Sequence, residues 1–211
     1  NPTYADKFEF VEKLTGFDAV IATGSNNSSR YFDHYFGKYP HIIRKNSNSV
    51  AVFSGNESHE DFTELGKDIF WYFGLGCRNV SKLYVPKDYS FVKFFEGIES
   101  YKPIINHHKY ANNFDYNLTL LMMNRVPYYE NHFLMLSENT SYASPISTLH
   151  YEVYEDENTL KQRLKEDNDQ IQCVVSKDGT FENSLPFGKA QQPELWDYAD
   201  GVDTMEFLTN L

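Results

Sequence analysis

The run Phe73-Gly74-Leu75-Gly76-Cys77-Arg78-Asn79-Val80-Ser81-Lys82-Leu83-Tyr84-Val85-Pro86 joins two kinds of pattern. Before it, residues 59–73 carry Phe62, Leu65, Ile69, Phe70 and Phe73 at helical spacing, which predicts an amphipathic helix running straight into Gly74. Within it, residues 82–86 read as a strand stopped by proline. Farther back, Val50-Ala51-Val52-Phe53-Ser54-Gly55 is a short apolar run ended by glycine, suited to a strand buried on both faces. Strand, helix and strand in that order predict parallel α/β pairing.

The same alternation extends in both directions. Residues 19–22 form an apolar run, Thr23-Gly24-Ser25-Asn26 supplies a turn, and residues 29–39 carry aromatics at helical spacing. A strand, a glycine turn and a helix make part of a βαβ unit, with backbone amides pointing outward at the helix N-terminus, where anions bind. Downstream, helices are predicted over 89–101, 110–123 and 156–167, and strands over 147–154 and 170–176, the latter followed by Lys177-Asp178-Gly179. Residues 181–211 are punctuated by proline and glycine and end in a partly apolar stretch, 202–208. The expected fold class is α/β, with a mostly parallel, helix-flanked sheet.

Bulk properties narrow the function. At 211 residues the chain holds one substantial domain, or one domain and part of another. A formal charge of −11 excludes non-specific binding to nucleic acid or to an anionic membrane surface. No apolar run reaches the ~18 residues of a membrane span. Asn1-Pro2-Thr3 reads as an internal start rather than a signal peptide. Two cysteines, Cys77 and Cys173, are too few for a disulfide framework and lack zinc-ligand spacing, so a reduced cytoplasmic protein is expected.

Cys77 is the candidate nucleophile. A reactive thiol needs exposure, charge that favours thiolate, and donors for the oxyanion formed when an acyl group is attacked. Gly74 and Gly76 strip side chains from its approach, and Arg78 adds positive charge. The ordinary alternative is a small buried thiol. Cys173, in Ile171-Gln172-Cys173-Val174-Val175, fits that alternative as a strand residue. His107-His108 has no cysteine or carboxylate at ligand spacing and reads as a surface pair; the acidic run at 155–157 reads as a helix start favoured by the helix dipole.

The order of Thr23-Gly24-Ser25, the glycine-flanked Cys77 and a late Leu185-Pro186-Phe187-Gly188 resembles the aldehyde dehydrogenase superfamily. Ser144-Pro145-Ile146, followed by the strand and acidic helix from Tyr151, is similar to that family's corresponding segment. Phe73-Gly74-Leu75-Gly76-Cys77-Arg78 and Trp196-Asp197-Tyr198-Ala199-Asp200-Gly201-Val202-Asp203-Thr204 resemble the LuxC-like fatty acyl-CoA reductases. The resemblance implies reduction of a fatty acyl-CoA or acyl thioester to an aldehyde through an acyl group held on Cys77. NADPH (or NADH) would be the cofactor, with Thr23, Gly24, Ser25 and Phe187 contributing to its site, and no metal.

Two departures from the family pattern bear on the chemistry. The superfamily's oxidising members carry an acid upstream of the cysteine that activates water to hydrolyse the thioester. The corresponding region here, Ile43-Arg44-Lys45-Asn46-Ser47-Asn48-Ser49, has none, which suits reduction over oxidation. A second glutamate that grips the nicotinamide ribose is missing near residues 141–144. The resemblance also implies a division into a remnant of the cofactor domain (1–40), a catalytic domain (41–190) and a returning segment (191–211) containing a possible oligomerisation strand. A homo-oligomer is expected, and the piece alone is expected to be inactive and to bind NADPH weakly. The rival readings are a non-catalytic domain of the same fold acting in assembly or partner binding, and a thiol acyltransferase or hydrolase.

Overall fold

The computed structural model describes residues 2–24, 26–44 and 48–211. Ser25, from the expected cofactor set, lies outside the described residues. The chain forms two compact units, residues 1–46 with 198–211, and residues 47–197.

In the first unit, β1 (Val20–Thr23) leads through α1 (Asn26–Phe36) to β2 (His41–Arg44), which pairs with it in parallel from Val20↔His41 to Thr23↔Arg44. Val20 and Ile42 are buried, and Phe17 packs edge-on against Phe36 and Tyr39 at 5.7 and 4.7 Å. Gly24 makes the turn close. Its amide donates to the Arg44 carbonyl at 3.1 Å, and a Cβ there would lie 2.8 Å from Ser28 Cβ and 2.9 Å from the Phe32 ring. The expected strand–turn–helix is present. Residues 202–208 correct an expectation: instead of an oligomerisation strand, Thr204–Thr209 is a helix. Asp203 explains it, since its carboxylate accepts from the Glu206 amide at 2.9 Å and caps the first turn. Arg44 Nη2 donates to Thr204 Oγ1 at 3.0 Å, fastening this helix to β2.

The second unit runs β3 (Asn48–Val52), α2 (His59–Phe70), β4 (Val80–Pro86), α3 (Val92–Gly97), α4 (His108–Met123), β5 (Tyr128–Glu130), β6 (Met135–Glu138), β7 (Thr148–Tyr154), α5 (Glu157–Glu166), β8 (Ile171–Ser176) and β9 (Leu185–Pro186). Its sheet has the order β5-β6-β7-β4-β3-β8-β9, with every pair parallel except β5 with β6. The predicted mostly parallel, helix-flanked α/β fold is therefore observed.

Side chains alternate across the sheet and build two cores. Ala51, Phe53, Leu83 and Val85 face one way and pack with Phe62, Leu65, Ile69 and Phe94 from the helices after β3 and β4. Val50, Val52 and Tyr84 face the other way and pack with Leu160 and Leu164 of α5. The α2–α3 contact is tight enough to demand glycine at 97, where a Cβ would fall 2.4 Å from Phe62 Cβ. Ser58 starts α2 through a capping box with Asp61. The helix ends at Phe70, three residues earlier than the apolar spacing predicts, for a reason that belongs to the site.

Candidate active site

After Phe70 the chain turns through Trp71, and then Tyr72, Phe73 and Gly74 all take left-handed conformations (φ 55°, 60° and 72°). Two consecutive aromatic residues in this region cost about 1–3 kcal/mol each and need outside support. Asn79 supplies it. Only 3% exposed, its Nδ2 donates to the carbonyls of Asp68 (2.8 Å) and Trp71 (3.0 Å), taking up orphan acceptors at the helix end. Its Oδ1 accepts from the Gly76 amide at 2.8 Å. The Phe73 ring rests against His107, with centroids 4.3 Å apart.

This turn delivers Cys77 to the surface at the head of β4. The Cys77 carbonyl accepts from Ser49 Oγ at 3.1 Å, which fixes the main chain while leaving the thiol exposed. Arg78, the expected source of positive charge, donates through Nη1 to the Ala190 carbonyl at 3.1 Å. The Gly76 amide is already engaged by Asn79, so it is not free to serve as an oxyanion donor.

Asp68 links this turn to a strap, residues 187–190, that follows β9. Fully buried, its carboxylate accepts from the amides of Gly188 (2.6 Å) and Ala190 (3.1 Å). Burial pushes its pKa up to about 7; the strap amides oppose the rise and the nearby Glu64 charge adds to it. Gly188 sits at φ 79°, and a Cβ there would meet Glu64 Oε2 at 2.6 Å. Through its carboxylate and its own carbonyl, Asp68 thus ties the strap and, via Asn79, the cysteine turn to the last turns of α2.

The other expected site residues belong to different units. Thr23 and Gly24 lie in the first unit at the β1–α1 turn, whereas Cys77 and Phe187 lie in the second. Phe187 points into the core, 6% exposed and edge-on to Phe53. Cys173 is partly buried in β8, with burial pushing its thiol up to about 11. His107 and His108 are exposed, and among the described residues no three His, Cys, Asp or Glu side chains gather as a metal site. No helix among them is long and apolar enough to cross a membrane. Sequence reading missed Ser49, Asp68 and Asn79. The one available signal was Asp68, an acid placed beside the apolar face of α2.

No known family's sequence pattern matches the chain, and no curated protein matches it in sequence. Solved structures do match. An NAD-dependent aldehyde dehydrogenase from Sinorhizobium meliloti superposes with a TM-score of 0.55 at 10% identity, over 82% of this chain and 41% of that one. The AldA indole-3-acetaldehyde dehydrogenase of P. syringae, in complex with NAD+, gives 0.54 at 10% identity, over 82% and 42%. The aldehyde dehydrogenase KauB from Pseudomonas aeruginosa gives 0.54 at 12% identity, over 75% and 40%. The fold is aldehyde-dehydrogenase-like. The chain spans about two fifths of the length of these structures. Within that architecture the glycine-flanked turn presents an exposed thiol, Cys77.

Proposed function

We propose that this chain carries the acyl-accepting part of a nicotinamide-dependent oxidoreductase of the aldehyde dehydrogenase type, and that its reaction is reduction of an acyl thioester, such as a fatty acyl-CoA, to the aldehyde. The observation that carries the reading is Cys77: an exposed thiol whose main chain is held by Ser49 and whose turn is built by Asn79. The sulfur of Cys77 adds to the acyl carbonyl carbon, the thiolate of CoA leaves, and the acyl group stays on Cys77 as a thioester. Holding the backbone on both sides of the sulfur keeps its attack geometry fixed without burying it. The lack of an acid in the region from Ile43 to Ser49 supports reduction, because no carboxylate stands there to activate water against the thioester.

The β1–α1 turn suits a nicotinamide cofactor, NADPH or NADH: Gly24 has no side chain, and its backbone lies at the start of an eleven-residue helix. Of the described residues, Thr23 and Gly24 would be the contacts, while Phe187 is committed to the core. When bound, the cofactor supplies the hydride that releases the acyl group as aldehyde.

Labelling tests this reading. Incubation with radiolabelled fatty acyl-CoA is expected to leave a hydroxylamine-sensitive label on the chain, lost in Cys77→Ala. Equal labelling of the variant and the parent would remove Cys77 from the reaction. Labelling without aldehyde release by the NADPH-supplemented holoenzyme would favour acyl transfer instead.

A further inference from the structure

One hydroxyl touches both cysteines of the chain. Ser49 Oγ donates to the Cys77 carbonyl at 3.1 Å and lies 3.0 Å from Cys173 Sγ. Its single proton is engaged by that carbonyl, so the Cys173 thiol is the donor in the second contact. β3 thus holds together two residues from distant parts of the sequence, at the head of β4 and on the neighbouring β8. We propose that Cys77 and Cys173 are a peroxide-responsive pair that closes into an intramolecular disulfide, capping Cys77 reversibly.

The two thiols differ in the way such a pair needs. Cys77 is exposed and meets the oxidant first. Cys173 is partly covered, and its raised pKa keeps it protonated and slow toward peroxide. The Cys77 sulfur attacks hydrogen peroxide, the O–O bond breaks, and Cys77 becomes a sulfenic acid as the peroxide's other oxygen leaves toward water. Cys173 sulfur then displaces that hydroxyl, which departs with the thiol proton as a second water. Two thiols lose two electrons in all, and the peroxide gains them.

The shared Ser49 contact brings the two residues within reach. A disulfide needs Cβ atoms about 3.5–4.5 Å apart, and Ser49 Oγ, 3.1 Å from the Cys77 carbonyl oxygen and 3.0 Å from Cys173 Sγ, makes the two residues neighbours. Cys173 lies in β8 and the main chain of Cys77 is held by Ser49, so closure falls to the two side chains, with the Cys77 thiol exposed and free to turn. Cys173 and Arg78 also line a cavity of about 270 Å³ with Leu164, Phe181 and Leu185, giving water and small thiol reductants a way in.

Peptide mapping under non-reducing conditions, after treatment with hydrogen peroxide, reads the pair directly. The expected product is a peptide linking Cys77 to Cys173, about 2 Da lighter than the two thiol peptides combined and restored by dithiothreitol. Cys173→Ser should instead carry Cys77 to the sulfinic acid, a gain of about 32 Da that dithiothreitol does not reverse. Cys173→Ala guards against a serine-specific folding defect and should behave alike. A parent chain that forms the sulfinic acid as readily as either variant, or only disulfide-linked dimers, would overturn the proposal. Acyl labelling of the untreated chain is read separately, so the disulfide stands if Cys77 never takes an acyl group and falls on its own result alone.

Discussion

A half-buried carboxylate and a fully buried one stand on opposite faces of the same sheet and behave in opposite ways. Glu152, on the α5 face, meets cations: Arg163 donates to both its oxygens at 2.7 and 3.0 Å, and Lys82 donates to one of them. Burial works against its charge, yet Arg163 and Lys82 hold its carboxyl below the ordinary range. Asp68, on the α2 face, meets only backbone amides, and there burial wins. At Asp68 the amide donors do not outweigh burial, whereas at Glu152 the neighbouring cations do. The first arrangement is a brace for the sheet. The second is a fastening whose charge changes close to neutral pH.

The comparison breaks most visibly at the brace. Lys82 is fully buried, and its other partner is the Thr140 carbonyl at 2.6 Å, so Glu152→Ala strands an ammonium inside the protein. A loss of about 3–5 kcal/mol is expected in urea unfolding. Lys82→Met should cost less, because Arg163 still neutralises Glu152. Equal losses would mean that Lys82 and Glu152 do not act as this unequal pair.

At the fastening, Asp68→Ala leaves strap amides without an acceptor and should cost about 1–3 kcal/mol. Its pH dependence sharpens the contrast. The folded chain keeps a proton on Asp68 between its unfolded value of 3.8 and about 7. Stability from this residue is therefore present in acid and declines as pH rises through that window. Glu152 has the reverse sign: its contribution is present above its unfolded value of 4.5 and is lost as pH falls below it. Denaturation midpoints measured from pH 4 to 8 should show the alkaline-side decline flattened in Asp68→Asn and unchanged in Glu152→Gln.

The smallest effect belongs to the strained turn. Tyr72 is exposed and left-handed, so Tyr72→Gly should raise thermal stability by up to about 1 kcal/mol, the relief of strain exceeding the entropy cost of glycine. A loss of stability would show that the ring contributes packing that outweighs the strain.

Much of this architecture was legible from residue order. The run Val50 to Phe53 and the spacing of Phe62, Leu65 and Ile69 announce β3, α2 and the parallel crossover to β4, because burial on both faces leaves an unbroken apolar signature. β2 escaped because His41-Ile42-Ile43-Arg44 is short and ends in polar residues. The end of α2 escaped because Trp71, Tyr72 and Phe73 continue the apolar pattern and nothing local marks a left-handed turn. The helix at 204–209 has one local mark in the sequence, its Asp203 cap, set in a stretch whose apolar content also suits a strand. The exposed cysteine was foreshadowed by its glycines. Its supports were less legible: the side chains of Ser49 and Asn79 bond backbone groups of other residues, partners that carry no sequence signal, and only Asp68 stood out as an acid beside the apolar face of α2.

The bond from Gly188 to Asp68 closes a loop of 120 residues. Closing so long a segment costs chain entropy that is recovered only through the packing it completes. Phe187 and Ala190 of the strap are themselves buried in the core with β3, α2 and β4, so the cysteine turn gains its anchor at Asp68 in the same long-range closure that completes the core. The surroundings of the reactive thiol are thus a product of the whole unit, set by a partner 120 residues away rather than by the turn alone.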